Sequence, residues 1–226
     1  MENEKLIEKL VGSLTVVPTV RVSRYVFIGA MVTILISVYF LVLIGIRQDW
    51  WQRLQDPSFL LAVAFFLTSY FLGLLFAIKT AVPDENKQAV PQHIITISLV
   101  LAMLSYSRIW TLDIEGFKHV GSLEMLMCCL SISCGAVAPV AILTVLFIKL
   151  AALRYALSFR YSWLGGTAAI SLVSAFHCPY RNPEHILAGH GVLLACVIIF
   201  YYLLSKPIVN FLYNKNMQWR LGDISK

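Results

Sequence analysis

Six apolar stretches separated by short polar connectors dominate the chain: Tyr25 to Ile46, Phe59 to Ile78, His93 to Tyr106, Leu123 to Ile148, Trp163 to Phe176 and Ile186 to Leu204. A helix that crosses the hydrocarbon of a bilayer needs about 20 mostly apolar residues. The third and fifth stretches are short and need flanking residues to reach across. The pattern predicts an all-α polytopic membrane protein with six transmembrane helices. The expected division is a cytoplasmic amphipathic segment over 1–24, a six-helix domain over 25–212 and a cytoplasmic tail over 213–226. The first apolar run begins only at Tyr25 and has full span length, so it reads as a retained helix and not as the short core of a cleaved signal peptide.

Ahead of the first span the period changes. Leu6, Ile7, Leu10, Val11 and Leu14 recur at helical spacing, with Glu4, Lys5, Glu8 and Lys9 on the opposite face. Asn3 can cap the start, and the run Thr15, Val16, Val17, Pro18 should end it. A helix with one apolar stripe lies on lipid, packs on its own bundle or docks a partner. The residues alone leave these three fates open.

Composition agrees with the spans: 59% of the 226 residues are hydrophobic and 13% charged, and the mean hydropathy is +0.77. Charge then orients the bundle. Thirteen of the 18 Lys and Arg fall on the side that holds both termini, leaving Arg47, Arg53, Arg108, Lys118 and Arg181 on the other. Basic residues concentrate on the cytoplasmic side, so both termini are expected in the cytoplasm. The net charge of +6 is then a topology signal and an attraction to anionic lipid, not a nucleic-acid footprint. Trp50, Trp51 and Trp110 fit an outer aromatic belt and Trp163 an inner one.

Several function classes are disfavoured. The spans carry no ionisable residue at depth, since Arg108 and Glu124 lie at segment edges, and this argues against a charge-coupled transporter. His93 falls at the inner edge while His119, His177, His185 and His190 fall near the outer one, so paired haem ligands at matching depth are not expected. No phosphate-binding glycine loop, G-x-S-x-G, H-E-x-x-H or C-x-x-C is present. No enzyme and no cofactor is predicted. Gly165 with Ala169, and Gly166 with Ser174, read as small residues that let helices approach. Pro139, deep in the fourth span, should bend it, either for packing or as a hinge.

The stretch A-F-H-C-P-Y-R-N-P-E-H, Ala175 to His185, joins the last two spans. Pro179 should end the fifth helix near Cys178, while Asn182 suits the N-cap of the next helix with Pro183 at its first position. The result is a short, stiff outer connector that pins Cys178 at the membrane surface. Cys128 and Cys129 lie about 10 Å below the outer end of the fourth span, where either can meet Cys178. In a bacterial cell that side is the periplasm, where disulfides persist, and a thiol pair there can sense oxidants or soft metals. Cys134 and Cys196 read as buried small hydrophobes. Metal ligation by His177, Cys178, His185 or His190 fits no standard zinc spacing, and the histidines read as interface residues.

Taken together, three places resemble the NrsF-like family of six-span negative regulators of extracytoplasmic-function sigma factors. They are K-L-I-E-K-L-V-G-S-L followed by V-V-P-T-V-R, the run C-L-S-I-S-C-G-A-V-A-P from Cys129 to Pro139, and F-H-C-P-x-x-x-P from Phe176 to Pro183. The resemblance implies an anti-sigma factor of the bacterial inner membrane whose partners are a sigma factor and the lipid bilayer, with no direct contact to nucleic acid. It implies that Cys129 and Cys178 are the paired sensing cysteines, with Cys128 and His177 as auxiliaries. Leu6, Ile7 and Leu10, extended by Val11 and Leu14, would form the sigma-binding segment, and Pro139 the hinge. The competing class is a small transporter or channel for an uncharged substrate.

Overall fold

The computed structural model describes residues 21–81, 91–111, 128, 155–180 and 182–224. The expected sigma-binding residues Leu6 to Leu14, Cys129, Cys134, Pro139 and most of the fourth predicted span lie outside these residues. Among the described residues the fold is all-helical. It comprises α1 (Val22–Ile44), a short α2 (Trp50–Arg53), α3 (Pro57–Ala81), α4 (Gln92–Ser107) with a 3₁₀ turn at Ile109–Thr111, α5 (Tyr155–His177), one turn of helix α6 (Pro183–His185), a π-helical segment Ile186–Gly191, and α7 (Val192–Ile224).

Among the described residues three helices are long and apolar enough to cross a membrane: Val22–Ile44, Pro57–Ala81 and Gln92–Thr111. A fourth is added if Pro183–Ile199 and Tyr202–Ile208, bent by 43°, count as one span. Burial runs opposite to hydropathy. The first helix has the highest mean hydropathy, 2.7, yet only Gly29 and Thr33 on it are buried. Phe27, Leu35, Val42 and Leu43 face outward. Such a surface is stable against hydrocarbon and not against water.

The centre belongs to α5, the helix buried on almost every side. It is 23 residues long and so is not the short element expected from Trp163 to Phe176. Its first turns carry Ser158, Arg160 and Ser162, which interrupt the apolar pattern but face protein. The Ser158 hydroxyl donates to the Ala77 carbonyl of α3 at 2.7 Å, that of Ser162 to the Ser158 carbonyl at 2.9 Å, and Arg160 Nε to the Ser205 hydroxyl at 3.2 Å. Hydroxyls that return to backbone carbonyls leave no unsatisfied donor in a dry interior, so a central helix tolerates them.

Close packing of α3 on α5 depends on two glycines. A Cβ placed on Gly73 would fall 2.7 Å from the Gly165 Cα and 2.9 Å from the Tyr161 carbonyl oxygen, so the two backbones are in contact there. Gly165 thus has the packing role expected of it. Cys196 does not have its expected role. It is exposed, because Val192, Cys196, Ile199 and Leu203 recur at helical spacing on the outward stripe of α7.

Among the described residues α1, α4 and α5 run in one direction and α3 and α7 in the other. The C-terminal ends of α1, α4 and α5 and the N-terminal ends of α3 and α6 therefore meet at one end of the bundle, together with exposed Trp50, Trp51 and Trp110.

Candidate functional site

At this shared end Asp56 caps α3. Its carboxylate accepts from the Ser58 N–H at 3.1 Å and the Ser58 hydroxyl at 2.7 Å, with Pro57 at the first helical position. The Arg108 guanidinium also reaches Asp56, and its Nε donates to the Ser58 hydroxyl at 3.1 Å. To do so Arg108 closes α4 in the left-handed region, φ +50°, a conformation that costs a non-glycine residue about 1 kcal/mol and is held by its contacts. Burial pushes the Asp56 carboxyl up, but the Ser58 hydrogen bonds and the Arg108 charge outweigh it, leaving the group below its ordinary value.

A second ion pair ties α1 to α5. Arg47, three residues beyond α1, is buried. Its Nη1 donates to the Cys178 carbonyl, its Nη2 donates to the Pro179 carbonyl at 3.1 Å, and its Nε and Nη2 bind Asp49 at 2.5 and 3.0 Å. The Arg47 backbone N–H donates to the Phe176 carbonyl at 3.1 Å, and His177 Nδ1 donates to the Gly45 carbonyl at 2.8 Å. The connector after α5 is stiff because of these bonds as well as its prolines.

As expected from Pro179, α5 ends at His177. Pro183 opens α6 and Asn182 sits in the N-cap place with extended backbone, although its side chain makes no capping bond. Cys178 is fully buried. Around it gather Cys128, His185 and His190, with ligand atoms all within 4.8 Å of one another. Cys128 Sγ lies 3.7 Å from His185 Nε2. His185 stacks on Tyr180 with centroids 4.3 Å apart. His190 Nδ1 is hydrogen-bonded with the Ser174 hydroxyl at 3.1 Å, and its Nε2 has no hydrogen-bond partner. Among the described cysteines, Cys128, Cys178 and Cys196 are free thiols. The hydrogen bond with Cys128 holds the Cys178 thiol below its ordinary value despite burial, helped by the Tyr180 N–H and the Arg47 and Arg53 charges. That environment favours a reactive thiolate.

Among the described residues the cysteine beside Cys178 is Cys128, one of the two that the sequence allowed to meet it and the one given as an auxiliary to Cys129, which lies outside the described residues. His177 serves the clamp on α1 instead of the cluster, although with Cys128 it lines a small cavity closed by Phe40, Ile44, Ile170, Val173 and Ser174. His185 and His190, read from sequence as interface residues, are buried in the cluster. The signal that would have found them is conformational: residues five apart on an α-helix point about 140° away from each other, whereas the i to i+5 bonding of a π-helix returns them to one face.

The described residues thus combine helices long and apolar enough to cross a membrane with a thiol and imidazole cluster at one end of the bundle. The family model described as NrsF, negative regulator of sigma F, matches residues 10–210, and the chain belongs to this family. Comparison with curated proteins and with solved structures finds no match.

Proposed function

We propose that this chain is an anti-sigma factor of the bacterial inner membrane, with both termini in the cytoplasm and six spans. It holds an extracytoplasmic-function sigma factor inactive through Leu6, Ile7, Leu10, Val11 and Leu14. It releases that factor when Cys178, with the adjacent pair Cys128 and Cys129, meets an oxidant or a soft metal on the outer side. The observation that carries the reading is family membership across residues 10–210, because negative regulation of a sigma factor is what the family's description states. The buried Cys178 thiol and the half-buried Cys128 thiol, at the end of the bundle that bears Trp50, Trp51 and Trp110, support the sensing half. On this reading the fourth predicted span, with Pro139 as its hinge, would carry the signal inward together with α5. No catalytic step is required.

Two experiments test the halves separately. Detergent-solubilised protein purified from its own cells should carry a sigma factor, and Leu6→Glu with Leu10→Glu should lose it. A preparation free of any sigma factor refutes the anti-sigma half. A promoter reporter read under oxidant or metal stress should lose its response in Cys178→Ser. An unchanged response refutes the sensing half.

A further inference from the structure

The donor set around Cys178 is more specific than a pair of thiols. Two sulfurs and two imidazoles converge within 4.8 Å. A tetrahedral zinc ion has Zn–S bonds of about 2.3 Å and Zn–N bonds of about 2.0 to 2.1 Å. These lengths put S and N about 3.6 Å apart at the tetrahedral angle, and Cys128 Sγ already stands 3.7 Å from His185 Nε2.

The histidines point to a ligand independently of the cysteines. His190 is 3% exposed, its Nδ1 is held by the Ser174 hydroxyl, and its Nε2 lacks a hydrogen-bond partner. A buried polar nitrogen without a partner is costly. The arrangement is the one a metal-binding imidazole uses, one nitrogen oriented by an outer partner and the other presented to the ion. The π-helical segment Ile186–Gly191 puts His185 and His190 on one side, with ring centroids 5.8 Å apart, and π-helical turns concentrate at functional sites. A disulfide between Cys128 and Cys178 would leave that nitrogen unanswered.

Charge selects the ion. Two thiolates and two neutral imidazoles carry a charge of about −2, which a divalent cation cancels in a buried site, where net charge is expensive. Arg47 does not replace it, since its guanidinium is committed to Asp49 and to the Cys178 and Pro179 carbonyls.

We propose that Cys128, Cys178, His185 and His190 form a four-coordinate site for a thiophilic divalent cation of the Zn²⁺ type. Binding replaces the two thiol protons, which leave to solvent, and changes no oxidation state. The inference names the ligand of the sensing site, and only its consequence for sigma release rests on the proposed function.

The test uses the full chain, reduced, freed of metal by a chelator and held in detergent micelles, with Co²⁺ as the probe. The wild type should show the intense visible bands of tetrahedral Co²⁺ and a thiolate-to-cobalt charge-transfer band, saturating at a single equivalent and abolished by stoichiometric Zn²⁺. A wild type that gives only weak octahedral bands, or whose bands ignore Zn²⁺, overturns the site without recourse to any variant. Cys128→Ser, Cys178→Ser, His185→Ala and His190→Ala should each lose the tetrahedral spectrum at unchanged helical circular dichroism. Ser174→Ala should weaken Zn²⁺ by about 10- to 100-fold, the loss typical of an outer-shell partner. Cys196→Ser should bind as the wild type does, and persistence of the spectrum in the doubly substituted His185→Ala, His190→Ala chain overturns the histidine ligation. The two readings fail differently. A missing tetrahedral spectrum beside a Cys178-dependent oxidant response overturns the metal site alone, whereas the spectrum without any bound sigma factor supports the site and counts against the regulatory reading.

Discussion

Removing the Arg47 guanidinium should be one of the most damaging single changes available at the Cys178 end of the bundle. The side chain is 1% exposed and its partner Asp49 26%, so Arg47→Ala strands the Cys178 and Pro179 carbonyls and lets Asp49 rehydrate. Hydrogen bonds to a charged group contribute about 1.5 to 3 kcal/mol each. The two carbonyl contacts therefore set a ceiling of about 3 to 6 kcal/mol, while the share from Asp49 is small because solvent screens it. Water entering the space lowers the expected loss to about 3 kcal/mol. For a chain of this size that is about 6 to 12 °C in Tm. Arg47→Lys keeps the charge but cannot span two carbonyls and a carboxylate at once, and should lose about half as much. The assay is thermal unfolding in detergent followed by circular dichroism, paired with the alkylation rate of Cys178, which should rise as the connector loosens. An Arg47→Ala protein that melts within about 2 °C of the wild type and alkylates at the same rate refutes the clamp.

Two further outcomes follow from named contacts. Asp56→Asn keeps a capping oxygen for α3 and should cost about 0.2 to 1 kcal/mol through loss of the partly screened Arg108 pair. Because the folded carboxyl titrates below its ordinary value of 3.8, the stability it adds is fully present above that value and is lost as pH falls through the folded one. The gap between wild type and Asp56→Asn in a melting series should thus be constant above about pH 5 and close in more acid buffer. At the α3–α5 contact, Gly73→Ala should destabilise by about 1 to 3 kcal/mol, since its Cβ meets backbone at 2.7 Å. Gly165→Ala, whose nearest neighbours stand at 3.3 Å, should cost less. Equal melting points for the two variants would contradict so close an approach of the two backbones at Gly73.

Much of the bundle was legible because lipid-facing helices must be apolar along their length. α1, α3 and α4 lie where hydropathy puts them, and the end of α5 and start of α6 lie where Pro179 and Pro183 put them. What failed was legibility of the interior. The beginning of α5 looks like a connector because Ser158, Arg160 and Ser162 are polar, yet each faces protein. Cys196 looks like core and faces outward, since in a bundle with inverted burial an apolar position is no evidence of the inside. Arg47 registered only as a charge that sets topology, because its partners at Cys178 and Pro179 are far away in sequence. The histidines were missed for the most local of reasons: an extra residue per turn between His185 and His190 has no compositional mark, although it decides whether two imidazoles share a face.

The placement of the clamp gives the proposed regulation a definite first step. α1 packs on the bundle through Val22, Tyr25, Val26 and Ala30 and again through Phe40, Leu41 and Ile44, and beyond its C-terminal end Gly45 and Arg47 bind His177, Phe176, Cys178 and Pro179. A helix bonded in this way at one end is displaced when that end moves. Ligation or oxidation at Cys178 acts on the same residue whose carbonyl Arg47 grips, so sulfur chemistry and the position of α1 share one peptide. On the proposed function, the chain before α1 is the sigma-binding segment, and the displacement arrives there without passing through the well-packed α3–α5 pair. Coupling between sites typically amounts to about 1 to 3 kcal/mol, the scale of a single charge-assisted hydrogen bond in this clamp. On the proposed function, rearranging one such bond is therefore of the size that release of the sigma factor requires.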